Sequence, residues 1–274
     1  MESIEELKKI CQKPNYKKPG YGNWYVRHII RDLALYVTRP LLKTSITANQ
    51  VTFISILVGV AAAFFFMIPS SFGLIMGTLL LQFWYLLDHV DGQIARYKKT
   101  SSITGVFFDY ITHYLVHSIA FIGLGIGAYL SQGIVLMLVL GSISALFMAF
   151  VSMFYDAKWK AFFHYITFNH LGSVEFLTTE SGVRSPESVN ISLPKKIFMF
   201  VCKLTEIHVI LNILTLLAVV SIFSYSFFGW SISELFIVIY SFMLPLVFIA
   251  RCFYAVKNQQ LDSEFKEKVN VTHV

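Results

Sequence analysis

Charge is what this sequence has least of. Only 14% of its 274 residues are charged, 56% are hydrophobic, and the mean hydropathy is +0.64. A soluble domain carries about 25% charged residues, so this chain cannot clothe itself for water, and a soluble globular fold is excluded. Cysteine is nearly as scarce. Cys11, Cys202 and Cys252 form no CxxC pair and are odd in number, which argues against a disulfide framework or a thiolate zinc site. The opening residues, MESIEELKKICQKPNYKKPG, contain no apolar run. No cleavable signal peptide is expected there, and the spans themselves would direct insertion. There is no internal repeat. The net charge of +6 does not point to nucleic acid, because the basic residues flank apolar runs, where they meet anionic headgroups.

Six apolar stretches stand out: Val51–Ile68, Phe72–Leu87, Val106–Leu130, Gly133–Phe154, Ile207–Phe228 and Ile232–Tyr254. Each is near the roughly 20 residues a helix needs to cross the hydrocarbon, and crossing segments must satisfy their own backbone hydrogen bonds. The expected fold class is all-α integral membrane, with six transmembrane helices. The second stretch is short and should continue beyond Leu87 into the headgroup region. The links Pro69–Ser71, Ser131–Gln132 and Gly229–Ser231 hold no Lys or Arg. All 22 basic residues lie in the N-terminal arm, the Asp88–Thr104 link, the Tyr155–Glu206 link or the flank from Arg251. By the positive-inside rule those regions are cytoplasmic. The sequons at Asn190 and Asn270 would then be unglycosylated. Asn23–Lys43 mixes apolar positions with Arg27, Arg31, Arg39 and Lys43, the pattern of an interfacial amphipathic helix. The expected organisation is a cytoplasmic arm with that helix over 1–44 and a membrane domain over 45–256. A cytoplasmic insertion at 155–206, acting as cap or lid, interrupts the membrane domain, and a cytoplasmic tail covers 257–274.

Chemistry concentrates in DHVDGQIARYKKTSSITGVFFDYITHYLVHS. Asp88 and Asp91 lie three apart, and Asp109 and His113 four apart, so on helices each pair shares a face. Antiparallel helices joined by Tyr97–Thr104 would bring three carboxylates and an imidazole together at the membrane boundary. Such a cluster repels itself unless a cation is bound, and carboxylate oxygens suit hard ions such as Mg²⁺ or Mn²⁺. Gly92, Ala95 and Gly105 leave the backbone open to a ligand, and Arg96 offers a fork of donors for phosphate. Metal, phosphate grip and open backbone together describe a diphosphate site. His117 reads as a buried, hydrogen-bonded histidine. Lys98 and Lys99 read as topology anchors, and Glu206, His208 and Arg251 as snorkelling charges at span ends. Asp156, His164 and His170 read as solvated faces of the insertion, and Phe64–Phe66 as lipid-facing or packing residues.

The full spacing is Asp88-x2-Asp91-Gly92-x2-Ala95-Arg96-x8-Gly105-x3-Asp109-x3-His113. It resembles the signature of the CDP-alcohol phosphotransferase (CDP-alcohol phosphatidyltransferase) family at every defined position but the last, where the family has a fourth aspartate. The six-span layout, the amphipathic helix and the segment Thr47–Thr52 are similar as well. The resemblance implies a CDP-linked lipid donor, an alcohol or phospho-alcohol acceptor, and CMP as product. It implies that Asp88, Asp91, Asp109 and His113 hold the metal, that His113 and Asp109 serve the acceptor hydroxyl, and that Gly92, Ala95, Arg96 and Gly105 line the nucleotide pocket, with Asn49 and Thr52 on its nucleoside side. It also implies a homodimer. A multi-pass plasma (inner) membrane protein with a cytoplasmic active site is expected. Histidine in place of aspartate removes one negative charge and favours a softer ion such as Mn²⁺. The alternative is a degenerate member with a non-catalytic membrane role. A transporter fits poorly, since the last two spans carry no deep charges. Prenyltransferases do not share the Gly92–Ala95–Arg96 pattern. A phosphorylated acceptor would want further basic residues at the site. Arg251, Lys203 and the insertion could supply them, but nothing in the sequence brings them there.

Overall fold

The computed structural model describes residues 2–12, 23–168, 174–176, 193–224, 226–227 and 229–271. The motif is carried by long helices whose ends are set by small polar caps. Helix α1 is Ile4–Cys11, and a π turn at Val26–Ile30 runs into α2, Arg31–Leu41. The long helices follow as α3 (Ala48–Phe66), α4 (Ser71–Tyr97), α5 (Ile103–Gln132) and α6 (Leu136–Phe168). Then come β1 (Val174–Phe176), α7 (Leu193–Leu204), α8 (Ile207–Phe223), β2 (Ser226–Phe227) and β3 (Trp230–Ser231). The chain closes with α9 (Ile232–Lys257), α10 (Gln260–Lys268) and β4 (Val269–Val271).

Thr47 and Gln50 form a reciprocal capping box that starts α3. Ser70 and Ser102 accept from the Gly73 and Gly105 amides to start α4 and α5. Each satisfies a donor that the first turn leaves orphaned. Gly133 stops α5 at φ +70, a left-handed conformation that favours glycine.

Among the described residues, five helices are long and apolar enough to cross a membrane: α3, α4, α5, α6 and α9. A sixth arises if the pair Lys196–Leu204 and Ile207–Phe223, bent by 69°, is one span. The all-α, multi-pass membrane architecture expected from composition is therefore present. As expected, α4 continues beyond Leu87, to Tyr97. One boundary differs from the apolar reading: α6 runs past Phe154 to Phe168, a stretch with no Gly or Pro to stop the helix. The insertion thus begins as a continuation of α6. Much of the rest of it, including His170, Arg184 and Asn190, lies outside the described residues.

The chain divides into two units. The first is Met1–Leu146 with Glu206–Ser241, the second Phe147–Thr205 with Phe242–Val274. In the first, α3 packs closely on α5: a Cβ on Gly59 would come within 2.6 Å of the Val116 methyls. Close approach of backbones replaces hydrophobic drive in lipid. Tyr25 donates to Gln82 Oε1 at 3.0 Å, and Gln82 donates to the Thr215 hydroxyl at 2.9 Å, which ties the arm to α4 and α4 to α8. Phe66 is buried and Phe64 is 62% exposed, so the phenylalanine run both packs and faces out. Helix α1 sets Leu7 and Cys11 against Leu35 of α2, and burial pushes the Cys11 thiol pKa up. In the second unit, Arg251 donates to the Tyr155 hydroxyl at 2.6 Å and to the Cys202 carbonyl at 2.8 Å. Lys158 pairs with Glu264 at 2.9 Å, Phe265 packs on Phe162 and Tyr165, and β1 pairs antiparallel with β4. The tail is therefore folded onto the insertion.

Candidate functional site

The link Lys98–Ser102 turns the chain between α4 and α5, helped by Lys99 at φ 53 and by the Ser102 cap. Lys98 does more than anchor topology: its Nζ donates to the Ile46 carbonyl at 2.8 Å, holding the segment that leads into α3. This places the start of α3, the end of α4 and the start of α5 around one cavity of about 430 Å³. Of the residues expected in the site, Asn49, Thr52, Asp88, Asp91, Gly92, Ala95, Arg96, Gly105 and Asp109 all line it.

Asp88 is the centre of the cluster. His113 Nε2 donates to Asp88 Oδ1 at 2.6 Å and stands 3.6 Å from Asp109 Oδ1. With the proton on Nε2 the ring donates to that carboxylate; to ligate a cation, Nε2 gives this proton up. Ligand atoms of Asp88, Asp109 and His113 all lie within 4.8 Å of one another. Ligands around one Mg²⁺ or Mn²⁺ at about 2.1 Å stand roughly 3 to 4 Å apart, so the donor set fits a single hard ion with one borderline nitrogen. Asp91 stands apart from this group. It is 8% exposed and its Oδ2 accepts the Thr52 hydroxyl at 2.6 Å. The pairing of two aspartates on one face of α4 holds, but tertiary packing gives each a different partner.

Behind the cluster, Trp84 is fully buried and presents its ring to His113 at 5.8 Å and to His117 at 5.3 Å. His117 is 3% exposed, in keeping with the reading of a buried histidine. The small residues have identifiable neighbours. A Cβ on Gly92 would meet the Arg96 guanidinium at 3.2 Å, and one on Gly105 would meet Asn49 Oδ1 at 3.4 Å. Glycine at 92 thus lets the arginine one turn later fold back along α4. Arg96 Nε donates to the Cys11 carbonyl at the end of α1.

Sequence reasoning missed part of the lining: Gln12, Arg31, His89 and Gln93. A signal for Arg31 existed. It shares a helical face with Ala34, Leu35 and Thr38, all fully buried, at spacings of three, four and seven. Arg251 and Lys203 belong to the second unit, and the Arg251 side chain is engaged there by Tyr155, Cys202 and Thr205. Glu206 pairs with His208 at 3.1 Å.

Residues 45–179 match the CDP-alcohol phosphatidyltransferase family. Among curated proteins, the chain is similar to "Bifunctional IPC transferase and DIPP synthase" of Aquifex aeolicus (strain VF5). The two are 29% identical over 109 residues, 39% of this chain and 24% of that protein, so the chain spans about a quarter of the length of the relative it matches. On these grounds the chain is a multi-pass membrane protein that carries a CDP-alcohol phosphatidyltransferase domain at residues 45–179.

Proposed function

We propose that the protein transfers a phosphatidyl or other phospho-alcohol group from a CDP-linked donor to an alcohol, releasing CMP, in phospholipid or polar-lipid synthesis. The observation that carries this reading is the convergence of Asp88, Asp109 and His113, of which the two aspartates line a cavity together with Gly92, Ala95, Arg96 and Gly105. Asp88, Asp109 and His113 would hold Mg²⁺ or Mn²⁺, with Asp91 joining once it turns from Thr52. When bound, the ion supplies charge neutralisation and Lewis acidity at a diphosphate.

The chain's own residues do the rest. Gly92, Ala95 and Gly105 admit the nucleotide against bare backbone, and Asn49 and Thr52 border it. The guanidinium of Arg96 steadies a phosphate through charge-assisted hydrogen bonds. The acceptor oxygen attacks the phosphorus of the transferred group. A new P–O bond forms, the anhydride P–O bond breaks, and CMP leaves with the electron pair. The hydroxyl proton passes to the α5 pair of Asp109 and His113, whose ring is oriented by Asp88 and backed by Trp84. The six-span count, interfacial placement of Val26–Leu41, a plasma (inner) membrane location with the site facing the cytoplasm, and a homodimer belong to the same reading. The basic residues on one set of links support the orientation.

The test is CMP release by purified protein in detergent with CDP-diacylglycerol, Mg²⁺ or Mn²⁺ and a panel of alcohols. Acceptor-dependent release that Asp91→Asn abolishes supports the transferase. Release from His113→Asp alone would favour the degenerate reading, in which the histidine disables an intact site. Silence from both, with no CDP binding, sinks the proposal.

A further inference from the structure

One histidine of the cavity wall stands outside the motif's defined positions and plays no part in the transfer step. His89 lies between Asp88 and Asp91 and lines the cavity. Its Nδ1 is committed: it donates to the Tyr85 carbonyl one turn back at 2.9 Å, so that nitrogen carries a proton. The ring stands edge-on to Tyr85, with centroids 4.9 Å apart, and 16% of the side chain is exposed. Nδ1 and the ring contact hold the side chain in one orientation, and neither uses Nε2. Among the described residues nothing hydrogen-bonds that nitrogen. Polar atoms in a largely buried wall rarely stay unpaired, so Nε2 calls for a polar partner in the cavity. The ring also stands beside the reacting centre. Its Nδ1 is 3.7 Å from Asp88 Oδ2, while His113 Nε2 meets Oδ1 of the same carboxylate at 2.6 Å. The two imidazoles therefore flank Asp88, one on each oxygen. Gln93 follows His89 one turn along the same face of α4. Its amide is already engaged by the Arg31 carbonyl and the Thr38 hydroxyl, which leaves His89 as the group of that face open to a ligand.

We propose that His89 Nε2 binds a hydroxyl of the acceptor other than the one that attacks, so that the acceptor is a polyol. The inference rests on the reading of the cavity as a CDP-alcohol site and deepens it by naming the acceptor class. In that reading the attacking hydroxyl passes its proton to Asp109 and His113 on one side of Asp88, and His89 stands on the other side. A molecule with a second hydroxyl on a neighbouring carbon or around a ring reaches both. A hydroxyl donates and accepts, so it pairs with Nε2 whichever partner carries the proton. A phosphate ester oxygen only accepts, and a quaternary ammonium does neither.

The test measures CMP release by full-length protein in detergent with CDP-diacylglycerol and Mg²⁺ or Mn²⁺. The acceptors are monohydroxy alcohols (ethanolamine, choline, serine) and polyhydroxy ones (glycerol, glycerol phosphate, inositol, inositol phosphate). The best acceptor is expected in the second group. For it, His89→Ala should raise KM about tenfold or more. Both kcat and CDP affinity should hold within about threefold, the split expected when substrate binding alone is lost. His89→Gln, whose amide reaches the position of Nε2, should recover most of the loss, and it guards against a packing defect beside Tyr85. One deoxy analogue of the best acceptor, lacking the hydroxyl that His89 holds, should react alike with the native protein and His89→Ala. Four results overturn the inference: a best acceptor with a single hydroxyl, an unchanged KM in His89→Ala, CDP binding without release to any polyol, or a parallel loss of CDP affinity in His89→Ala, which would assign His89 to the donor. Failure of the native protein to bind CDP at all would overturn the proposed function and this inference with it.

Discussion

Two walls of one cavity differ in origin. The motif wall comes from α3, α4 and α5, lies within the family span, and among the described residues holds the cavity's carboxylates, Asp88, Asp91 and Asp109. The arm wall comes from the end of α1 and from α2, lies before that span, and contributes an amide and a guanidinium. The motif wall is built by helices that cross a membrane, whose register is fixed by close contacts such as Gly59 on Val116. The arm wall is a short amphipathic piece docked by Leu7, Cys11 and Leu35 and by hydrogen bonds to the backbone. The proposed chemistry sits on the wall that the crossing helices build.

That contrast can be broken most severely at its centre. Asp88→Asn removes a proposed ligand and the partner of His113 together, and acceptor-dependent CMP release should fall on the order of 10³-fold, while circular dichroism stays unchanged. Retained turnover would show that the motif wall does not carry the chemistry. His113→Ala should cost about 10²–10⁴-fold in turnover, whereas His113→Asp should tighten Mg²⁺ by about tenfold or more, read from the metal dependence of CDP binding. Thr52→Val strips the hydroxyl from a buried carboxylate. It should weaken metal-dependent CDP binding by about 10–100-fold, measured by calorimetry. On the arm wall, Leu7→Ala should cost at least about 2 kcal/mol of docking. Hydrogen exchange over α1 should then quicken about thirtyfold, without comparable change in α4. The smallest effect is expected at the Lys8–Asp32 pair, 2.8 Å apart with side chains about a quarter exposed. Lys8→Ala should change stability by less than about 1 kcal/mol, and a drop in melting temperature beyond a few degrees would show that the arm is held by charge and not by its apolar face.

Much of the motif wall was legible in the sequence because its signals are local. Asp88 with Asp91, and Asp109 with His113, share helical faces by spacing alone, and a short link makes their helices neighbours. Their division of labour was not legible. Asp91 meets Thr52 and Asp88 meets His113 through contacts between residues 39 and 25 positions apart. Gln12 and Gln93 were invisible for the same reason: an amide's meaning depends on which carbonyl it reaches. The continuation of α4 beyond Leu87 was legible from its short apolar stretch, but that of α6 beyond Phe154 was missed, because hydropathy marks where a helix leaves lipid and not where it ends.

What the sequence determined by itself was the solvent, the secondary structure and the chemical inventory. Composition excludes water as the main surroundings, backbone hydrogen bonding in lipid then requires helices, and the motif supplies carboxylates, an imidazole and open backbone at fixed helical intervals. Only the tertiary structure decided which of those groups meet and that the N-terminal arm joins them. Those outcomes rest on packing between helices distant in the chain, where a change of one turn in register would give every polar side chain a different partner.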